Sequence, residues 1–366
     1  MSLYLGDIAA AVLPEDRADV LYHSYDGGGV EITGPSILVR KNFGDSVSAT
    51  LNHYVDNVSS ASIDVITTAS PYTESRNENS IGVDYLHDKT TMSVALTNSV
   101  EPDFEASTIS INFSQDMFGD LTTVNMGFAS GDNNISRNGD SDFSEQATTR
   151  NYRLSVSQII SKNMIMLAAF ETIVDEGFLN NPYRSVRYED PTVPRQYSYQ
   201  AEVYPRTRSS NALALRARYF LQHRAAIFAG YRIFSDSWGI DANDFELGYT
   251  LPFRTNWILE TRIRYYDQSG ADFYSDLFPF QDAQNFLARD KELSTFHNVT
   301  LGAGVSYEFD NSTWSTFKRG TLNFNFDYIF FDYDDFRDLT QPGSVGNEPL
   351  YSFDAVVIRA FASLWF

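Results

Sequence analysis

The 366 residues contain no cysteine, which rules out a disulfide, a thiolate metal site, a haem-attachment motif and a cysteine nucleophile. That suits an envelope protein exported without thiols. Basic residues are scarce: 27 Lys and Arg stand against 48 Asp and Glu, and a formal net charge of −21 argues against a nucleic-acid partner. No run of 18 apolar residues occurs, so a membrane could be crossed only by strands. The five histidines (His23, His53, His87, His223 and His297) have no metal-ligand spacing, and no motif selects a serine nucleophile. The chain therefore reads as a non-enzyme with no intrinsic cofactor. The start, MSLYLGDIAAAVLPEDRADV, lacks a basic leader before an apolar core, so the expectation is a secretory signal already removed or replaced by Met1.

Aromatic rings are abundant. Phe, Tyr and Trp make up 15% of the chain, with 28 Phe and 22 Tyr, although only 43% of positions are hydrophobic. Stretches of about ten residues alternate apolar and polar side chains, the pattern of transmembrane barrel strands. The alternation predicts strands over 17–26, 30–42, 46–57, 79–87, 90–99, 105–115, 120–131, 147–160, 164–174, 208–222, 225–236, 242–252, 255–267, 293–309, 319–334 and 351–366. Between them, short turns (43–45, 87–89, 117–120, 161–163, 222–224, 253–255) trade places with long Pro, Gly, Asp and Asn-rich connections (58–78, 132–145, 176–207, 268–291, 336–349). About sixteen strands is an even number, placing both termini on the periplasmic side of an all-β, antiparallel transmembrane barrel. Residues 195–204 could raise the count to eighteen. Residues 1–16 read as a periplasmic segment and 17–366 as the barrel. The glycine-rich YDGGGVEITG at 25–34 has no helix behind it and reads as a hairpin turn.

The last residues, AVVIRAFASLWF, place Phe366, Leu364, Ala362 and Ile358 on one face of a strand. This segment resembles the C-terminal signal strand that Gram-negative outer-membrane barrels present to the barrel assembly machinery. Alternation alone also fits a soluble β-sandwich with its apolar set inside. The terminal Phe366 and the rings near predicted strand ends (Tyr85, Tyr219, Tyr231, Trp257, Tyr265, Phe330, Trp365) instead fit an interfacial girdle.

If the apolar set faces lipid, the other set lines a lumen. Early strands supply mostly Ser, Thr, Asn and Asp; later ones supply Arg153, Arg216, Arg218, Arg232, Arg262, Arg264 and Arg359 with Glu246, Glu260 and Glu308. Such a wall can bind anions, or it can hold plug loops and neighbouring carboxylates. Acidic loops carry Asp132, Asp140, Asp142 and Glu145, then Asp332, Asp334, Asp335 and Asp338. Neither has calcium-loop spacing, so the expectation is solvated charge or loose divalent cations bridging to lipopolysaccharide.

Several stretches are more specific: YHSYDGGGVEITGPSILVRK, SSASIDVITTASPY, GFLNNPYRSVRY and ADFYSDLFP. They resemble an uncharacterised, domain-of-unknown-function family of Gram-negative outer-membrane barrels. The resemblance spans most of the chain and transfers no catalytic residues. It implies an outer-membrane location and a gene neighbourhood of a small lipoprotein, a thioredoxin-like protein and a flavin transferase, hence an envelope redox system. In the long connections, Tyr183, Arg184 and Arg187 are placed to pack on Asp272, Tyr274 and Asp276 and close the mouth. Two functions remain in view: a scaffold or conduit for a small lipoprotein or other periplasmic partner, and a porin-type channel with an arginine-lined wall.

Overall fold

A computed structural model describes residues 12–62, 72–310 and 316–366. The first eleven residues of the expected N-terminal segment, and 63–71 of the connection expected at 58–78, lie outside the described residues. The strands are β1 (Arg17–Gly27), β2 (Val30–Phe43), β3 (Val47–Ser60), β4 (Tyr72–His87), β5 (Thr90–Val100), β6 (Phe104–Met117), β7 (Thr122–Arg137), β8 (Asp140–Ser161), β9 (Met164–Gly177), β10 (Ser185–Glu189), β11 (Tyr197–Ala201), β12 (Thr207–Phe220), β13 (Ala226–Asp236), β14 (Asp241–Phe253), β15 (Trp257–Gln268), β16 (Phe296–Asp310), β17 (Arg319–Arg337) and β18 (Leu350–Trp365). Sixteen of them pair with their neighbours, antiparallel, into one closed barrel, β1 closing on β18. The candidate strand at 195–204 is β11, which pairs with β10 in a separate two-stranded sheet, so the barrel count stays at sixteen.

Closure follows from the sequence pattern. Every strand edge finds a partner, which removes the unpaired ladder that an open sheet would expose. The β1–β2 connection is a two-residue turn in which Gly28 and Gly29 have φ of 60° and 76°, the double left-handed geometry that tight hairpins need. At the short-turn end the approach to β1 meets the end of β18: the Phe366 amide donates to the Asp16 carbonyl, and Asp16 accepts from Lys41 and from the Asn42 amide.

The stretch expected as a long connection at 132–145 is instead a projecting hairpin. β7 runs to Arg137, β8 starts at Asp140, and Gly139 at φ 82° makes the turn. Its Asp, Asn and Ser content suggests a loop, yet the cross-strand ladder already formed lower down propagates through it, and Arg137 stacks on Phe143 at 4.6 Å.

The apolar set faces outward. Val94, Leu96, Ile111, Leu154, Leu215, Ile263 and Phe324 are exposed on the outer wall, the reverse of a soluble sandwich. Phe366, Leu364, Ala362 and Ile358 belong to this outward set. Trp365 does not: it alternates with Leu364, faces inward and stacks under Arg319 at 4.6 Å, so it is no part of the outer girdle. The buried apolar core lies mainly in the long connections of the β9–β18 half. Tyr204, Trp238, Ile240, Phe273 and Leu293 form one cluster, and Val186, Phe278 and Leu287 another. A third, Tyr333 and Phe336 with Phe331, Tyr351 and Phe353, continues down onto β17 and β18.

Candidate functional site

Position parity on each strand puts a charged belt on the inner wall from β8 to β18. Arg153 donates to Glu171 on β9 at 2.9 Å. Arg262 grips Asp327 with two bonds, Nε to Oδ1 at 3.0 Å and an Nη to Oδ2 at 2.6 Å, and Arg359 reaches the same Oδ2 at 2.8 Å. Glu246 lies 3.8 Å from Arg262, and Arg264 is held by Asp244. Gly302 makes the Arg262–Asp327 grip sterically feasible, because a Cβ there would come within 2.4 Å of the Asp327 carboxylate and 2.5 Å of Cγ of Arg262.

The other three arginines differ. Among the described residues, Arg216 and Arg218 on β12 and Arg232 on β13 have no carboxylate within ion-pair distance. Arg232 lies against the Phe234 ring, and its Nε is buried without a partner. Glu260 accepts only from Thr250, at 3.3 Å, and Glu308 sits exposed near the short-turn end, its backbone tied to Asn256. The wall is wet. Arg153 keeps 45% of its side-chain surface accessible and Arg264 35%, so these pairs are solvent-screened and contribute little to stability.

The opposite wall carries a network that sequence reading missed. His23 bonds Asp56 at 2.7 Å and Tyr54 at 3.1 Å, with its ring stacked on Tyr54. Arg76 joins Asp56, Glu78, Ser99 and Glu101. Just above, oxygens of Glu74, Glu101 and Asp103 lie within 4.8 Å of one another, a set that could hold a cation. Burial, opposed by Arg76 and reinforced by Asp103 and Asp56, pushes the Glu101 carboxyl above its ordinary value.

The long connections of the β9–β18 half fold into a cap. Arg187, with no exposed surface, donates to Glu348 at 2.7 and 3.0 Å and to the Asp276 carbonyl at 2.9 Å, and it also grips the Asp276 carboxylate. Arg289 adds bonds to Asp276 and to the Arg337 carbonyl while stacking on Phe336 at 4.4 Å. Burial alone would raise the Glu348 carboxyl, but the bonds and charge of Arg187 outweigh it and hold Glu348 below the ordinary glutamate value. The turn Lys291–Leu293 is tied to the end of β15, where the Gln268 side chain donates to the Glu292 and Ser294 carbonyls at 3.0 and 2.8 Å.

The residues singled out for mouth closure are thus only partly brought together. Arg187 meets Asp276, and Tyr274 packs between two clusters with its hydroxyl on the Asp335 carbonyl at 3.3 Å. Arg184 pairs with Asp290 instead. Tyr183 reaches the β7–β8 turn, where its hydroxyl accepts from the Asn138 amide at 2.7 Å. The Asp272 amide bonds the Trp238 carbonyl, and its carboxylate lies against Gly239. Asp327, Glu171, Asp244 and Glu348 were not singled out in the sequence; the first three are acids at inward positions of β17, β9 and β14, the signal that parity offers, whereas Glu348 lies in a connection, where parity offers none.

Solved structures similar to this chain are barrels. A bacterial polysaccharide outer-membrane secretin aligns over 95% of this chain and 98% of its own, at 6% identity and a TM-score of 0.51. A monoaromatic hydrocarbon channel, CymD, aligns over 96% and 88% at 8% identity and 0.45, and a Pseudomonas aeruginosa FadL homologue over 97% and 91% at 9% and 0.46. At such identities the likeness is one of fold. No curated protein matches the chain significantly. The family model described as "Protein of unknown function (DUF3570)" matches residues 63–153 and 141–351, and together these segments span most of the barrel, so the chain belongs to that family.

Proposed function

We propose that this barrel lies in the outer membrane of a Gram-negative bacterium, with both termini in the periplasm and the folded cap outside, and that it conducts small charged solutes through its lumen. The supporting observation is the group Arg216, Arg218 and Arg232, three guanidiniums on adjacent strands of a hydrated wall with no carboxylate partner among the described residues. Fixed cations lining a wet passage attract anions and select among solutes without binding them tightly. The protein needs no catalytic centre or intrinsic cofactor for this. Its outward apolar set meets lipid, and acids above it are available for loose divalent bridging to lipopolysaccharide. Purified barrel in planar bilayers should give discrete open-channel currents that lose anion preference when the three arginines become methionine. Absence of any current from correctly folded barrel would overturn the reading.

A second reading, a scaffold for a small lipoprotein or periplasmic partner, draws support from rings left exposed on the long connections, Phe280 at 58% and Phe286 at 41%. It predicts a stoichiometric partner after gentle detergent purification, and loss of that partner when both rings become serine.

A further inference from the structure

We infer that the inner wall holds a discrete site for a small zwitterion, an α-amino acid, between Arg218 and Glu260. The inference rests on the solute-accessible lumen proposed above and names what that lumen recognises. Arg218, Phe228, Glu246, Thr250, Glu260 and Arg262 line a hollow of about 180 Å³ floored by Gly302 and Gly304 of β16. That volume corresponds to about six waters of liquid, the size of a small amino acid and too small for a sugar chain or lipid.

The register places the charges. The paired row across the wall runs Arg218, Phe228, Gly248, Arg262, Gly302, Asp327, with Glu260 one inward position below Arg262 on β15. Three strand spacings separate Arg218 from Glu260, about 14 Å between backbones, and both side chains reach into the hollow between. Most charges there are already matched: Arg262 and Arg359 share Asp327, and Glu246 flanks Arg262. Arg218 and Glu260 are left, one cation and one anion, neither within ion-pair distance of an opposite charge among the described residues.

The hollow is lined by two cations, Arg218 and Arg262, and three acids, Glu246, Glu260 and Asp327, and Arg359, which bonds Asp327 from β18, brings the charge to balance. A simple anion gains one contact and faces the acids; a simple cation gains one and faces the guanidiniums. A zwitterion answers both, carboxylate to Arg218 and ammonium to Glu260, with the Phe228 ring against its side chain. Neither side chain holds the barrel together, so both can be changed without unfolding it.

The test is titration calorimetry of the full chain in detergent, with L-leucine, acetate and isopentylamine as probes. Leucine should bind, while acetate and isopentylamine do not. R218M and E260Q should each weaken binding by about tenfold or more, the factor for losing one charge-assisted bond, whereas R232M leaves it unchanged. Heat-shifted gel migration confirms that each variant is a folded barrel. Binding of acetate or isopentylamine as tight as leucine, leucine binding that survives both changes, or no leucine binding to wild type would each overturn the inference. Calorimetry needs no conduction: leucine binding to a barrel that passes no current would sink the channel reading alone, and current without leucine binding would sink this site alone.

Discussion

The walls β2–β7 and β12–β18 are made by the same antiparallel pairing but differ in several respects. On β17 the outward apolar run extends from Leu322 through Phe324, Phe326 and Tyr328 to Phe330, about 26 Å along the strand. On β4 it spans Tyr85 to Ile81, about 13 Å, and above it outward positions turn polar, with His53 bonded to Asn79 and Asn98 to Ser107. At the upper edge β13, β15 and β17 present Tyr231, Tyr265 and Phe330; among the described residues, β3 to β6 present no Phe, Tyr or Trp there. The low wall is also hollowed, by about 930 Å³ between Ile37, Leu51, Ile81, Leu96 and Ile109. The tall wall carries the unpaired arginines and most of the cap. One barrel thus has two unequal walls: the β12–β18 side presents a tall apolar belt with rings along its upper edge, and the β2–β7 side a short one.

Arg187→Leu tests that division hardest. It leaves Glu348 buried without its cation and Asp276 with Arg289 alone, a loss on the order of 3–5 kcal/mol. Limited proteolysis should then cut within 269–295 and 338–349 while the barrel strands stay protected; unchanged cleavage would mean the cap is held by its rings alone.

A lysine on the lipid face comes next. Phe326→Lys on the tall wall should cost about 2–4 kcal/mol in vesicles, as expected for a cation near the bilayer midplane. Asn79→Lys, above the low belt, should cost almost nothing. Equal costs by urea titration would remove the difference in belt height.

Acid should loosen the cap before the barrel. Glu348 has a lowered carboxyl value in the folded state, so its stabilisation is complete above the ordinary glutamate value of about 4.3 and is lost as pH falls below that, through the folded value. Protease sensitivity of the cap should rise in that window in wild type, and Glu348→Gln should flatten the response.

The smallest effect is expected in the lumen. Asp327→Asn frees Arg359, leaves Arg262 with Glu246 alone at 3.8 Å, and should move reversal potentials a few millivolts to tens of millivolts toward anions, the scale of screened wall charge. Asp56→Asn on the opposite wall frees only Arg76 and His23, with Glu78 and Glu101 still beside Arg76. A larger shift from Asp56→Asn would relocate the selective wall.

Most of the barrel was legible because strand alternation is local. Met92, Val94 and Leu96 announce a strand and its faces within five residues, and all sixteen barrel strands fall where alternation put them. Ends were read less well. β4 begins at Tyr72 rather than 79, and β7 and β8 pair through the run expected as a loop, since a ladder can extend through polar residues that have no strand preference of their own. In the lumen, parity identified which arginines face inward but not which are paired.

Alternation, the run of short turns and the ring-rich composition by themselves determined a closed barrel of about sixteen strands, because a period of two and a side's polarity are properties of neighbouring residues; the pairing of β11 with β10 fixed the count. Tertiary structure alone decided that Arg262 and Arg359 share Asp327, that Arg187 is sealed between Asp276 and Glu348, and that Arg218 and Glu260 stay free. Those partners lie 32 to 161 residues apart where they pair, and only the register accumulated around the closed sheet and the folding of three connections over it sets their distance.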